Sequence, residues 1–276
     1  MTGARMEAET QEALIAALRL QLDWGVDEAL DAEPHDRAAR LPERPEAPAA
    51  RAPFPAPGSS PAPLRAQPQL LPASLAGTRA QALAAGADSL PALREAMAQF
   101  EGSPLKETAM NLVFADGVAE SGLMFIGEAP GADEDRLGRP FVGVSGQLLD
   151  RMLASVGLSR ERDFYITNIL PFRPPGNRTP TDAEIALFLP FILRHIELAR
   201  PRLLVLLGGV SAKALLRSRE GITRLRGRWH QVTTNEEQAL PALATLHPAY
   251  LLRTPTAKRE AWNDLLMLRR KIDGKD

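Results

Sequence analysis

The chain is 276 residues long, 45% hydrophobic and 24% charged, which suffices for one globular domain with extra sequence attached. Its formal charge of -1 hides a gradient: residues 1–90 sum to −4, 91–199 to −5 and 200–276 to +8, so the basic C-terminal third suits a phosphate backbone or simply forms a solvated basic face. Cysteine is absent, which excludes disulfides, thiolate metal sites and Cys nucleophiles, and the four histidines show no paired ligand spacing.

The N-terminus lacks a signal-peptide core, and no apolar run approaches the roughly 18 residues that span a bilayer. A cytoplasmic protein with no membrane partner is therefore expected. Residues 8–22 read as an amphipathic helix, with Leu14, Leu18, Leu20 and Leu22 on an apolar stripe. The segment 1–40 is expected to be helical and could dock on a protein partner. Ten prolines between Pro42 and Pro72 lie among Ala, Ser and Arg, so residues 41–85 are expected to form a flexible linker. Residues 86–276 read as the globular domain.

Within that domain a helix is expected over Pro91–Phe100, followed by a loop. Four short apolar runs come next, ending at Ile126, at Thr167, at Leu207 and at Leu246. The first leads into a long loop, 127–143, rich in Gly and charge, and then a helix from Ser145. The second leads through Arg173-Pro174-Pro175-Gly176-Asn177-Arg178 to Thr181, which with Glu184 forms a capping-box start for a helix to Ala199. A short helix follows the third run, a strand or hairpin is expected around Trp229, and a last helix covers Ala257–Lys271. Strands alternating with helices predict a three-layer α/β/α domain with a central, mostly parallel four-stranded sheet.

In such a sheet, ligands bind at the carboxyl ends of the strands. Each run ends in polar residues: Gly127-Glu128-Ala129-Pro130-Gly131, Asn168, Gly208-Gly209 and His247-Pro248. Glu128, Asn168 and His247 would then share one pocket. The glycines form neither a dinucleotide fingerprint nor a Walker loop. Asn168 either makes a turn or reads the edge of a nucleobase with its paired donor and acceptor. Phe141, on a Gly-rich loop, is either core or a stacking platform. His247 is either structural or catalytic.

Taken together, Gly127-Glu128-Ala129-Pro130-Gly131, Gly138-Arg139-Pro140-Phe141-Val142-Gly143, Thr167-Asn168 with Arg173–Arg178, and His247-Pro248-Ala249-Tyr250-Leu251-Leu252-Arg253 resemble the iron–sulfur (fourth) class of uracil-DNA glycosylases. The resemblance spans about residues 100–271. It implies hydrolysis of the N-glycosidic bond of uracil in DNA, by a monomer without a catalytic metal. Phe141 would stack on the base, Asn168 would read its edge, and backbone near Ala129 and Gly131 would hold it. His247 would stabilise the leaving group, with Glu134 as first choice and Glu128 as rival for orienting water. Asn177, Arg178 and Arg253 would contact the phosphates or wedge the duplex. The class holds a four-iron cluster on four cysteines, whose matching positions here are Phe100, Ser103, Phe172 and Phe188. No cofactor is expected, and the phenylalanines would fill the cluster's volume. A silent DNA-binding relative, or a glycosylase of altered base preference, are the alternatives.

Overall fold

The computed structural model describes residues 73–275. The expected front helix and the expected linker as far as residue 72 lie outside them. Helix α1 (Ala73–Gly86) corrects the linker's expected end at 85. Its Ala76, Ala80 and Ala84 recur every fourth residue and are buried. Such small side chains let it lie close on helix α6 (Asp182–Ala199). Alanine also loses no side-chain entropy on burial, so the pattern favours a helix even without large apolar residues.

Six strands form one sheet: β1 (Asp116–Gly117), β2 (Leu123–Gly127), β3 (Tyr165–Asn168), β4 (Leu203–Leu207), β5 (Trp229–Thr233) and β6 (Ala239–Thr245). Their order is β1-β3-β2-β4-β6-β5. The inner four run parallel, and β1 and β5 close the edges antiparallel. The expected four-stranded parallel sheet is thus the core of a six-stranded mixed one. At two residues, β1 is too short to carry any periodicity. Pro241 sits in β6 opposite Gln231 of β5, one residue before pairing with β4 begins at Ala242. A missing N–H is tolerated there.

Both faces of a parallel sheet must be covered, and the strands are apolar on both. Met124, Ile126, Leu204, Leu206, Ala242 and Ala244 meet α1, α2 (Leu90–Gln99), α6 and α7 (Gly209–Leu216). Leu123, Phe125, Ile166, Val205 and Leu243 meet α5 (Val144–Ala154) and α10 (Lys258–Ile272). This is the expected three-layer arrangement. From β2 the chain passes through α5 to β3 on one side, then through α6 to β4 on the other. Crossovers of one hand require the helix to change face when the direction reverses, and β2 is where this sheet does so. A crevice opens at that point, above the carboxyl ends of the strands.

The loop expected over 127–143 contains a further helix, α4 (Ala132–Leu137). Asp133, Glu134 and Asp135 occupy its first turn. Negative side chains there complement the unpaired N–H groups of the helix start, which explains acids in excess of what a turn needs. Asp135 also accepts from the N–H groups of Met110 and Asn111, at 2.8 and 3.1 Å, and so ties down the preceding loop. Thr181 and Glu184 form the expected capping box. Among the described residues, no helix is long and apolar enough to cross a membrane.

Candidate active site

Register places the predicted residues side by side. Gly127 pairs with Asn168, and Leu207 pairs with Thr245. Glu128, Asn168 and the turn into His247 therefore leave the sheet at one level. They open onto a cleft of about 410 Å³. All ten predicted site residues line it: Glu128, Ala129, Gly131, Glu134, Phe141, Asn168, Asn177, Arg178, His247 and Arg253. Sequence reasoning missed Ser145, Thr179 and Tyr250, which also line it. Tyr250 belongs to α9 (Pro248–Arg253), whose start is signalled by Pro248 at the first helical position.

Asn168 is 3% exposed, and its side-chain oxygen has no hydrogen-bond partner. A buried amide left without a partner costs free energy on the order of 1–3 kcal/mol, so this one is held ready for something that enters the cleft. Gly127 makes room for it. A Cβ on Gly127 would lie 2.4 Å from Asn168 Oδ1 and 2.4 Å from Phe141 Cζ. Only glycine lets the amide and the ring converge on this strand end.

Phe141 is a core residue at the edge of the cleft. It packs with Phe125, Leu149 and Phe164 in the core beneath the sheet and also presents its ring to the cleft. Its backbone is left-handed, with φ of 55°, a conformation unfavourable to a bulky residue. Such strain persists where surrounding structure enforces it, and it clusters at ligand sites.

His247 caps α9, its Nδ1 accepting the N–H of Ala249 at 3.2 Å. Burial, and secondarily Arg253, lower its pKa to about 4. The ring is therefore neutral at pH 7, and since Nδ1 is an acceptor the proton sits on Nε2. Its ring lies 5.8 Å from that of Phe141, tilted by 34°. Gly208, with φ of 94°, lets β4's end pass close to the His247 side chain.

The two glutamates differ. Glu134 Oε1 accepts the N–H groups of Val142 and Gly143, at 3.0 and 2.8 Å, and Oε2 accepts that of Gly131 at 3.1 Å. Both its oxygens thus clamp the two loops that frame the cleft, so most of the lone pairs of this predicted water-orienting residue are engaged. Glu128 lines the same cleft, and no hydrogen bond is made to its side chain among the described residues. Burial raises its pKa, opposed by the charge of Arg253. It is the carboxylate with lone pairs to spare.

On the far wall Arg178 forks onto Glu184, with contacts of 2.6 and 2.9 Å, and Arg173 donates to Asn177 at 2.7 Å. The pair with Arg178 is foremost in lowering the pKa of Glu184 to about 2. Arg178 therefore enters the cleft already oriented and still partly exposed.

Residues 114–266 match the family model of the uracil DNA glycosylase superfamily. The chain belongs to this superfamily. It is 39% identical to the type-4 uracil-DNA glycosylase of Pyrobaculum aerophilum over 182 residues, 64% of this chain and 92% of that protein. It is 39% identical to the type-4 uracil-DNA glycosylase of Archaeoglobus fulgidus over 164 residues, 58% of this chain and 81% of the relative. The corresponding enzyme of Sulfurisphaera tokodaii is 36% identical over 188 residues, 66% of this chain and 84% of the relative.

The iron–sulfur cluster implied by the class does not fit this superfamily member. No thiolate exists to bind it, and among the described residues no group of His, Cys, Asp or Glu is placed to hold a metal ion. Three of the four matching positions instead pack ring against ring. Phe188 lies 5.9 Å from Phe100 and 6.1 Å from Phe172, with both pairs edge-on, and Phe191 joins at 5.4 Å from Phe100. All four rings are buried. The fourth position, Ser103, is buried and its hydroxyl accepts the N–H of Leu105 at 3.3 Å. The purified protein is accordingly expected to be colourless and to hold no stoichiometric iron. Elemental analysis with a visible spectrum checks this, and a bound iron–sulfur chromophore would overturn it.

Proposed function

We propose that this chain hydrolyses the N-glycosidic bond of uracil in DNA and leaves an abasic site. The observation that carries the reading is Asn168. Its buried side-chain oxygen, left without a partner, belongs to a cleft also lined by an aromatic ring and by a neutral imidazole that can donate a hydrogen bond. A pyrimidine with a donor and an acceptor on one edge satisfies that amide and lies against that ring. The base must leave the stack to reach such a depth.

Chemistry follows from the placement. As the bond between C1′ and the base nitrogen breaks, its electron pair passes to the base and charge grows on the uracil oxygen. His247 Nε2–H donates to that oxygen, and the backbone at Ala129 borders the same cleft, while the N–H of Gly131 is already given to Glu134. A donor fixed in advance needs no reorganisation during the reaction, and such donors are commonly a large catalytic term. Water, oriented by Glu128, adds to C1′ and passes its proton to the Glu128 carboxylate, while the base departs as an anion with the electron pair of the broken bond. Glu134 holds the loops. Arg178, Asn177 and Arg253 are the contacts to phosphates, and the +8 charge of residues 200–276 supports the same partner.

A direct test is cleavage of a uracil-containing oligonucleotide by the purified chain. Loss of cleavage with DNA binding retained would leave a silent DNA-binding relative. A pH profile tests the role of Glu128. Its carboxylate form is required, and burial raises its pKa, so single-turnover rates are expected to fall on acidification with a midpoint above the ordinary Glu value of about 4.3. His247 stays neutral down to about pH 4, so it adds no second limb in the neutral range. Glu128→Gln is expected to remove the acid limb and lower the rate about 10²–10⁴-fold. A wild-type rate in that variant would move the role elsewhere.

A further inference from the structure

Arg160 lies between α5 and β3, outside the motifs above, and is 9% exposed. Its guanidinium is wholly engaged. Nη1 donates to the carbonyl of Pro140 at 2.8 Å, and Nη2 donates to the carbonyl of Phe141 at 2.7 Å. Two successive carbonyls thus point at one cation. The fork is held from behind by Asp116 at 3.0 Å and by Asp150 at 2.9 Å. Burial pushes the Asp116 carboxyl up, but its hydrogen bonds from Arg160 and Arg139 outweigh this and hold it low.

These carbonyls belong to the turn where Phe141 is left-handed. Free of constraint, a phenylalanine would leave that conformation and take its ring with it. On the opposite side the backbone is pressed by α5, where a Cβ on Gly146 would stand 2.0 Å from the Phe141 carbonyl oxygen. The turn is therefore caught between a helix with no side chain at the contact and a cation that binds both its carbonyls. We propose that Arg160 is a positioning residue, which holds the Phe141 ring in the cleft by gripping the carbonyls of Pro140 and Phe141. The inference rests on the reading that Phe141 stacks on the extruded base.

Lysine keeps the charge but is a point donor, unable to serve two carbonyls and two carboxylates in one plane. The test is a cycle of Arg160→Lys, Phe141→Ala and the double variant, with single-turnover kcat/KM on a uracil-containing oligonucleotide and melting measured for each. Phe141→Ala is expected to lose about 10–10²-fold through lost stacking. Arg160→Lys is expected to lose about 10-fold or more, up to the 10² that a misplacement of 1 Å can cost. If Arg160 acts through the ring, the double variant falls within about twofold of Phe141→Ala alone. A purely structural arginine would lower melting and multiply the loss in both backgrounds. Asp150→Ala, on the exposed side of the network, loosens the same fork without removing the cation. Its smaller loss must likewise vanish in the Phe141→Ala background, which keeps the test decisive if Arg160→Lys does not fold. Multiplicative losses, or wild-type cleavage by folded Arg160→Lys, overturn the proposal. Wild-type cleavage by Phe141→Ala would instead remove the stacking role itself.

Discussion

Asn168→Ala is expected to slow single-turnover release of uracil roughly 10²–10³-fold, the loss typical of one preorganised donor, about 3–4 kcal/mol. His247→Ala is expected to fall by a similar factor for a different reason, since it removes the donor to the leaving base and not the reader of its edge. The two are separable. Asn168→Ala should flatten discrimination between uracil and other pyrimidines, while His247→Ala should slow all substrates alike. Melting should barely change in Asn168→Ala, because its side-chain oxygen bonds to nothing in the folded chain. His247→Ala loses a cap on α9 as well, a penalty of about 1 kcal/mol. Wild-type rates in both variants would remove these residues from the reaction.

Phe188→Ala is expected to be the most damaging core substitution in its region. The ring is fully buried and meets Phe100, Phe172 and Phe191. Truncating such a residue costs about 3–5 kcal/mol, because the cavity adds to the lost transfer energy and rigid neighbouring rings collapse poorly into it. At roughly 2–4 °C per kcal/mol for a domain of this size, melting should drop by about 6–20 °C. Phe188→Leu should lose less, as it keeps most of the volume. Cleavage measured well below the melting temperature should stay near wild type in both, since none of these rings lines the cleft. A Phe188→Ala protein that melts like wild type would mean the rings do not pin their segments together.

Much of this was legible in the sequence, for a physical reason. A parallel strand covered on both faces is a short run of apolar residues, and what ends it must be polar because it surfaces. Glu128, Asn168 and His247 could therefore be placed on one edge before any coordinates. The four-stranded centre followed from the same runs. The parts that were hidden depend on chain returns without local signature. Glu134 and Glu128 look alike in sequence; only the return of Val142-Gly143 onto Glu134 distinguishes a carboxylate that holds backbone from a free one. Arg160 lies on no periodic face, and its partners come from three separate segments. Helix α1 escaped because its buried stripe is alanine, directly after a proline run, and α4 because its capping acids resembled a charged loop.

The ring cluster has a consequence for how the native state is reached. Where a bound ligand closes a core, stability follows that ligand's concentration by mass action. Here the four rings arrive with the chain itself, at the C-terminal cap of α2, on α6 and in the loop after β3. Assembly is unimolecular in this region, so melting should not shift with added iron, sulfide or chelator. Oxidants have no sulfur bond to cut there. What sets the supply of folded protein is the rate at which distant segments find one another, and the encounter of Phe100 with Phe188 spans most of the distance from the first helix to the middle of the sheet's connections.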